Sequence, residues 1–410
     1  MNNNVEICPS CGEHITVNSG YTVWCDKCEW NIDPKSGDKK ISFFNKLENY
    51  IGQKHSKALL EIVVKNVGIM PKMSIARMFC FVFATIVQFI AVFLLYLAYS
   101  TAFKIPPAFT LVLIVLGCLS LPRLYRVKRK PVIRSDYPKL FKLVDDIADS
   151  LGSEKVDEIV IDGSFNASFA RTFLKRGFRR KRVLILGLPL FFILSPQERV
   201  ALISHEIAHN VNKDSARAFW LGTALNTLRR WYELMTPADD EYGTSKIAKF
   251  FLFIPRTIVF LLKLIFETLL WRDSQIAEYY ADRLAAEISG SKYQISLLEK
   301  LHFGELYVST IKKLIKYNYT SNFFKEFVNR INQMPQKEID RLGRLEKSKL
   351  SRVDATHPPT VYRIEYIKLL SYEMSKYQLS EDECSDIDKE LKKEYDRVNK
   401  DIVEFYKKWA

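Results

Sequence analysis

The sequence predicts a mainly α-helical α+β chain: a helical main domain with one short β-hairpin, a helical hairpin apolar enough to cross a bilayer, and a small cysteine-rich N-terminal module. Three observations carry this reading. His205-Glu206-Ile207-Ala208-His209 sets two imidazoles four residues apart in a helical context; residues 78–99 run for 22 positions without a charge; and Cys8-Pro9-Ser10-Cys11 and Cys25-Asp26-Lys27-Cys28 form two C-x2-C pairs. The chain has 410 residues and 48% apolar content, with only 15 Gly and 15 Pro, which excludes broad disorder and leaves room for two or three domains. The expected division is 1–40 for the cysteine module, 41–74 for a linker helix, 75–122 for the apolar hairpin, 135–375 for the main domain and 376–410 for a charged C-terminal helix.

From the N-terminus, the two pairs Cys8/Cys11 and Cys25/Cys28 stand 13 residues apart. Four thiolates presented from two tight turns make a small structural zinc ribbon. So short a segment lacks the core to fold without metal. Iron in a rubredoxin-like site is the chemical alternative. Disulfides would need an oxidising compartment, and the odd total of 7 Cys argues against them. Cys80 and Cys118 fall in the apolar runs and Cys384 in the charged helix, with no chemistry assigned, and the sequence identifies no partner for the ribbon.

The run 78–99 is long enough for the hydrocarbon core, whereas 103–121, bracketed by Pro106-Pro107 and Pro122 and carrying Lys104, barely reaches it. A re-entrant or interfacial segment is therefore an open reading of the second run. Charge favours two crossings. Lys65, Lys72 and Arg77 precede the first run, and Arg123, Arg126, Lys128, Arg129, Lys130 and Arg134 follow the second. By the positive-inside tendency both flanks face the cytoplasm, which predicts a multi-pass protein of the cell membrane with ribbon and main domain on the cytoplasmic side. No cleavable signal peptide is expected, because the N-terminus is polar and the first long apolar run begins late.

Ser195-Pro196-Gln197-Glu198 supplies a capping residue, a proline at the first helical position and a capping glutamate, so a helix should start at Pro196 and run through His209. Residues four apart on a helix share a face, so His205 and His209 can grip one metal ion with Glu206 beside its open side. In that arrangement the carboxylate takes a proton from the water that attacks a peptide carbonyl. With 6 histidines in the chain, chance would place this motif in fewer than about one such sequence in a hundred. A catalytic zinc site needs a third protein ligand. Glu278, in Glu278-Tyr279-Tyr280-Ala281-Asp282 and 69 residues beyond His209, is the choice, with Asp282 one turn on to receive the spare N–H of a ligand histidine. Alone, such a pair reads as a solvated helix face.

Taken together, Asn166-Ala167-Ser168-Phe169-Ala170, the capped segment 194–209, Glu278 to Asp282, and His357-Pro358-Pro359-Thr360 followed by Arg363-Ile364 resemble the membrane-integrated zinc metallopeptidases that include the HtpX heat-shock proteases and the CAAX prenyl endopeptidases. The resemblance covers roughly 135–372. It implies a gluzincin fold, zinc on His205, His209 and Glu278, and Glu206 as general base. It further implies substrate backbone held along Asn166 to Ala170, and oxyanion stabilisation by His357 with Arg363. Quality control of damaged membrane proteins is its preferred setting over processing of prenylated tails. The ribbon departs from the family's common pattern.

The residues themselves say less about these last roles. Segments 165–170 and 183–188 read as strands around a turn at Gly177, and a free strand edge would bind an extended peptide by main-chain hydrogen bonds; an ordinary hairpin reads the same way. His357 precedes two prolines and so lies in a rigid turn, aimed inward or simply exposed. A third apolar run, 250–271, is interrupted by Arg256, Lys263 and Glu267 along one stripe. It reads equally as a membrane-bordering helix begun or kinked at Pro255, or as a core helix of the main domain.

The expected cofactors are thus two Zn2+, one catalytic and one structural, and the expected partners are a protein or peptide substrate and membrane lipids. Nucleic acid is not expected. The charge is +14, and 171–182 holds seven basic residues without an acid, but no base-reading element accompanies them and anionic head groups or topology account for such clusters. A second function class is a catalytically silent membrane scaffold that recruits partners through the ribbon. Residues 291–349 read as amphipathic helices covering the cleft, and 380–410 as one charged helix of coiled-coil or packing type. Linkers are expected at 33–40, 126–135 and 237–245.

Overall fold

The computed structural model describes residues 4–34, 43–66, 75–121, 126–174, 179–211, 214–236, 246–316, 322–348 and 357–407. The turn at Gly177, the linker at 237–245 and the charges at Lys72 and Arg123 fall outside them. The chain is mainly helical with two small sheets. At the N-terminus β1 (Asn4–Ile7) and β2 (His14–Val17) pair antiparallel beside the cysteine pairs. Then come the helices α1 (Phe43–Lys65), α2 (Ile75–Thr101) and α3 (Pro107–Ser120).

In α2, Met78–Thr101 is the one described helix long and apolar enough to cross a membrane, with only 28% of its apolar window buried. Phe79, Val82, Ile86, Phe89 and Phe93 are exposed along it. α3 folds back against it, approaching so closely at Gly117 that a Cβ there would lie 2.8 Å from the Leu95 side chain. With 14 residues, α3 is about 21 Å long at 1.5 Å per residue, short of the roughly 30 Å apolar slab. The prolines bracketing the second run set that limit.

The main domain is built on β3 (Arg126–Val127), α4 (Pro138–Ser150), β4 (Glu158–Asp162), β5 (Ala167–Leu174) and β6 (Arg180–Gly187). The strand order is β3-β5-β6-β4, with β5 and β6 antiparallel and the outer pairs parallel. The hairpin is longer toward its turn than its apolar residues indicate. Register pairs Arg171 with Arg182 and Phe173 with Arg180, so basic residues continue the ladder because main-chain bonding does not depend on side-chain polarity. β3 meets only Phe173 and Leu174, so no described strand pairs on the outer side of β5 from Ala167 to Arg171. At the far end, Gly187 donates its N–H to the Asn166 carbonyl at 2.9 Å. A Cβ at Gly187 would overlap the carbonyl oxygens of Asn166 and Ser164.

The helices that follow are α5 (Leu188–Phe192), α6 (Pro196–Val211), α7 (Asp214–Leu234), α8 (Lys246–Ser289) and α9 (Ser291–Lys300). A 3₁₀ turn at Leu301–Phe303 leads to α10 (Gly304–Lys316), α11 (Phe323–Asn332), α12 (Gln336–Ser348), α13 (Thr360–Leu370) and α14 (Glu381–Lys407). The principal core joins sheet residues Ile159, Ile161, Leu184 and Leu186 to α4, α6, α10, α11 and α14. Phe323 and Phe327 are fully buried there. The helices after residue 291 therefore build the core, where the sequence suggested a cover for the cleft. α14 presents Cys384, Ile387, Leu391, Val398 and Ile402 to the same core, a spacing of three and four that suits packing on one face.

One helix, α8, contains both the third apolar run and Glu278, with Pro255 inside it. Its first half has Phe250, Phe251, Ile254, Ile258, Leu261 and Ile265 exposed, while Lys263 and Glu267 are buried. Glu267 faces Lys263 at 3.3 Å and accepts hydrogen bonds from Arg229 of α7 at 2.8 and 3.0 Å. Charges inward and apolar side chains outward is the reverse of a water-facing helix. A further polar tie, Gln88 Nε2 donating to Thr223 Oγ1 at 2.6 Å, fastens α2 to α7.

Candidate metal centre

α6 is fixed before its histidines are placed. The Ser195 N–H donates to Glu198 Oε2 at 2.7 Å, the half of the capping box that the sequence announces. Glu198 also accepts from Lys300 Nζ at 2.6 Å and from Ser296, tying the cap to α9. Burial alone would raise the Glu198 carboxyl, but Lys300, Ser296 and the Ser195 N–H outweigh it and hold it below the ordinary glutamate value. The next residue, buried Arg199, forms a two-pronged pair with Asp388 of α14 at 2.9 and 3.2 Å. Gln197 donates to the carbonyls of Ser289 and Tyr377.

So anchored, α6 turns His205 and His209 to one side. His205 and Glu206 are buried, and the two imidazole rings stand perpendicular with centroids 5.0 Å apart. α8 packs across α6 and delivers Glu278 between them. Glu278 Oε2 is 3.5 Å from His205 Nε2, and Oε1 is 3.5 Å from His209 Nε2. One turn further, Asp282 Oδ1 lies 3.1 Å from His205 Nδ1, short of ideal hydrogen-bond alignment. Asp282 thus faces the ring nitrogen that Glu278 leaves free.

His357 and Arg363 arrive from the start of α13. His357 Nδ1 is 2.6 Å from Glu278 Oε2, with the ring 45% exposed. Arg363 turns to Asp282. Its Nε and Nη2 donate to the two oxygens of Asp282 at 2.7 Å each, in a site where Arg363 is 4% exposed and the Asp282 side chain fully buried. An arginine held in that fork directs its charge to Asp282, while its Nη2 also lies 3.5 Å from His205 Nε2. Gln294, for which the sequence carries no signal, adds a third hydrogen bond to Asp282 at 3.0 Å.

The electrostatics follow from this chain of contacts. For Asp282, burial works to raise the carboxyl, but Arg363 and then His205 outweigh it and bring it down to about 2. For His205, burial opposes the charged ring, yet Asp282 and Glu278 overcome it and raise it to about 10. Burial would likewise raise Glu278, and His209, His357 and His205 hold it well below the usual range. A pocket that places two carboxylates against buried imidazoles is built to hold positive charge.

The donor set fits a divalent cation. Two imidazole nitrogens and one carboxylate oxygen bonding at about 2.0–2.1 Å in a tetrahedron lie roughly 3.3–3.4 Å apart; Glu278 meets His205 through Oε2 and His209 through Oε1, each at 3.5 Å. Ligand atoms of His205, Glu278 and His357 fall within 4.8 Å of one another. The ribbon passes the same test. Cys8 Sγ is 3.7 Å from Cys28 Sγ, Cys11 Sγ is 3.6 Å from Cys25 Sγ, and all seven cysteines are free thiols. Four thiolates bonding at about 2.3 Å in a tetrahedron stand roughly 3.8 Å apart.

β5 packs beside α6, and no described strand pairs with its outer side from Ala167 to Arg171. Asn166 is exposed just before it, its carbonyl taken by Gly187, while Ser168, Phe169 and Ala170 are half-buried. Arg363→Met leaves Asp282 as a buried charge without its ion partner and should lower stability by about 3–5 kcal/mol. It should also weaken zinc binding at His205 by roughly 10–100-fold through the loosened ring. Thermal unfolding and a chelator-competition titration measure the two effects, and a variant unchanged in both would remove Arg363 from this role.

The sequence pattern of Peptidase family M48 matches residues 137–371. The chain is 24% identical over 241 residues to the Protease HtpX homolog of Pyrobaculum calidifontis, covering 57% of this chain and 68% of that protein. It is 24% identical over 235 residues to the Protease HtpX homolog of Archaeoglobus fulgidus, covering 56% and 67%. No solved structure matches.

Proposed function

Because the chain belongs to Peptidase family M48, whose pattern spans more than half of it, it is a protease, and we propose that it is a membrane-bound, zinc-dependent endopeptidase acting on membrane or unfolded proteins. The observation that carries the reading is the convergence of His205, His209 and Glu278 with Glu206 on the same helical turn. Zinc held there supplies Lewis-acid activation of water and carbonyl. Glu206 accepts the proton of the attacking water and passes it to the leaving amine. Asp282, clamped by Arg363 and Gln294, orients the His205 ring. A peptide lies extended along the outer side of β5, with Asn166 at its end. His357, with Nδ1 turned to Glu278, offers its exposed edge to the oxyanion.

The membrane part of the proposal rests on polarity. α2 is long enough to span, and the outward apolar faces of α2, α3 and the first half of α8 would otherwise meet water. The basic residues Lys65, Arg126, Lys128 and Lys130 on the flanks of α2 and α3 support, by the positive-inside tendency, the reading that ribbon and protease domain face the cytoplasm. The test is cleavage of an unfolded casein-like protein by the purified full chain in detergent. Cleavage is expected to stop with a zinc chelator and to return when zinc is restored. A silent scaffold predicts no cleavage in any of these conditions.

A further inference from the structure

The ribbon has little interior of its own, with Cys8, Ile15, Trp24 and Cys25 as its buried hydrophobic residues. Its largest buried side chain, Trp24, is 1% exposed because α12 covers it. Arg344 stacks its guanidinium 5.2 Å from the Trp24 ring and Lys337 brings Nζ to 5.8 Å. Lys337, Arg341 and Arg344 share one face of α12, and each donates to a different ribbon carbonyl: Lys337 to Thr16 at 3.1 Å, Arg341 to Ile32 at 2.7 Å and Arg344 to Asp26 at 2.6 Å. Arg341 is set for this by a double hydrogen bond to Glu338 at 2.8 Å.

Those three carbonyls come from separate parts of the ribbon: the second strand, the second cysteine pair, and the segment after it. They line up against one helix face only when the module is folded, and a module of this size folds on its metal. On its other side α12 packs against α13, whose Arg363 holds Asp282 against His205. His357, just before α13, lies 2.6 Å from Glu278.

We infer that the ribbon's partner is helix α12 of its own chain, and that the pair forms a metal-dependent clamp on the protease domain. With the four thiolates loaded, α12 is held on α13 and the Arg363–Asp282–His205 line is ordered. When the ribbon gives up its metal, the carbonyls disperse, α12 loosens and turnover falls while zinc stays on His205, His209 and Glu278. The turnover part rests on the protease reading above; the docking part does not.

Amide hydrogen exchange and zinc content of the full chain in detergent test it, with two variants. Cys25→Ser with Cys28→Ser should lose one zinc per chain, speed exchange across 336–348 by roughly tenfold or more, and lower casein cleavage several-fold. Lys337→Gln with Arg344→Gln should keep both zinc ions and shift exchange and cleavage in the same directions. Unchanged protection of 336–348 in either variant overturns the clamp. Faster exchange in both, in a chain that never cleaves casein, would uphold the docking and refute the protease reading separately.

Discussion

Glu206→Gln keeps zinc at both sites and lowers casein cleavage by about a hundred- to ten-thousand-fold, the range that removal of a general base produces. Gln has the shape of Glu and donates and accepts hydrogen bonds, but it cannot take up the proton of the attacking water. Glu206 is 7% exposed on a helix whose cap, core face and axis are fastened by Glu198, Arg199 and Gln197. The substitution therefore leaves His205 and His209 where they are. Matched zinc content and unfolding temperature, with a lowered turnover, is the expected pattern. Turnover equal to that of the parent chain would place the general base elsewhere.

Glu278→Ala acts one step earlier. It removes the carboxylate whose Oε2 stands 3.5 Å from His205 and whose Oε1 stands 3.5 Å from His209, and two histidines without a third ligand do not hold catalytic zinc. Zinc measured by atomic absorption is expected to drop from two ions per chain to about one, the remainder on Cys8, Cys11, Cys25 and Cys28. His357 loses its 2.6 Å partner in the same change. A variant that keeps two zinc ions would move the third ligand to another residue, with His357 the nearest candidate. The contrast between the two glutamates separates proton transfer from metal retention.

The protease helix was legible because all of its signals are local. Ser195, Pro196 and Glu198 mark its start, and the spacing of His205 and His209 fixes their shared face regardless of what packs around them. The two cysteine pairs are legible for the same reason. The partner of Arg363 was not legible, because its position after His357-Pro358-Pro359 says that it comes near the site but not which carboxylate it meets. Its guanidinium goes to Asp282 because that side chain is fully buried and an unpaired charge there would be costly. Gln294 and Lys300 were invisible: neither belongs to a motif, and both matter only because α9 passes under α6.

The third apolar run shows the limit from another side. Its periodicity locates a polar stripe at Arg256, Lys263 and Glu267 but not its direction. Arg229 on α7 settles that by drawing Glu267 inward and leaving Phe250, Phe251 and Phe253 outside. The ribbon is similar: four cysteines declare a metal, and nothing near them declares that Lys337, Arg341 and Arg344, more than three hundred residues away in sequence, would cover Trp24.

By itself, then, the amino-acid order determined which donor atoms this protein owns and which of them share a helical turn, since backbone periodicity is set within a few residues. Only the tertiary structure decided that α8 lays Glu278 across α6, that Arg363 braces Asp282, and that the N-terminal module rests on α12. Those pairings depend on which faces the whole chain must bury together, and no local pattern encodes the closure of segments so far apart.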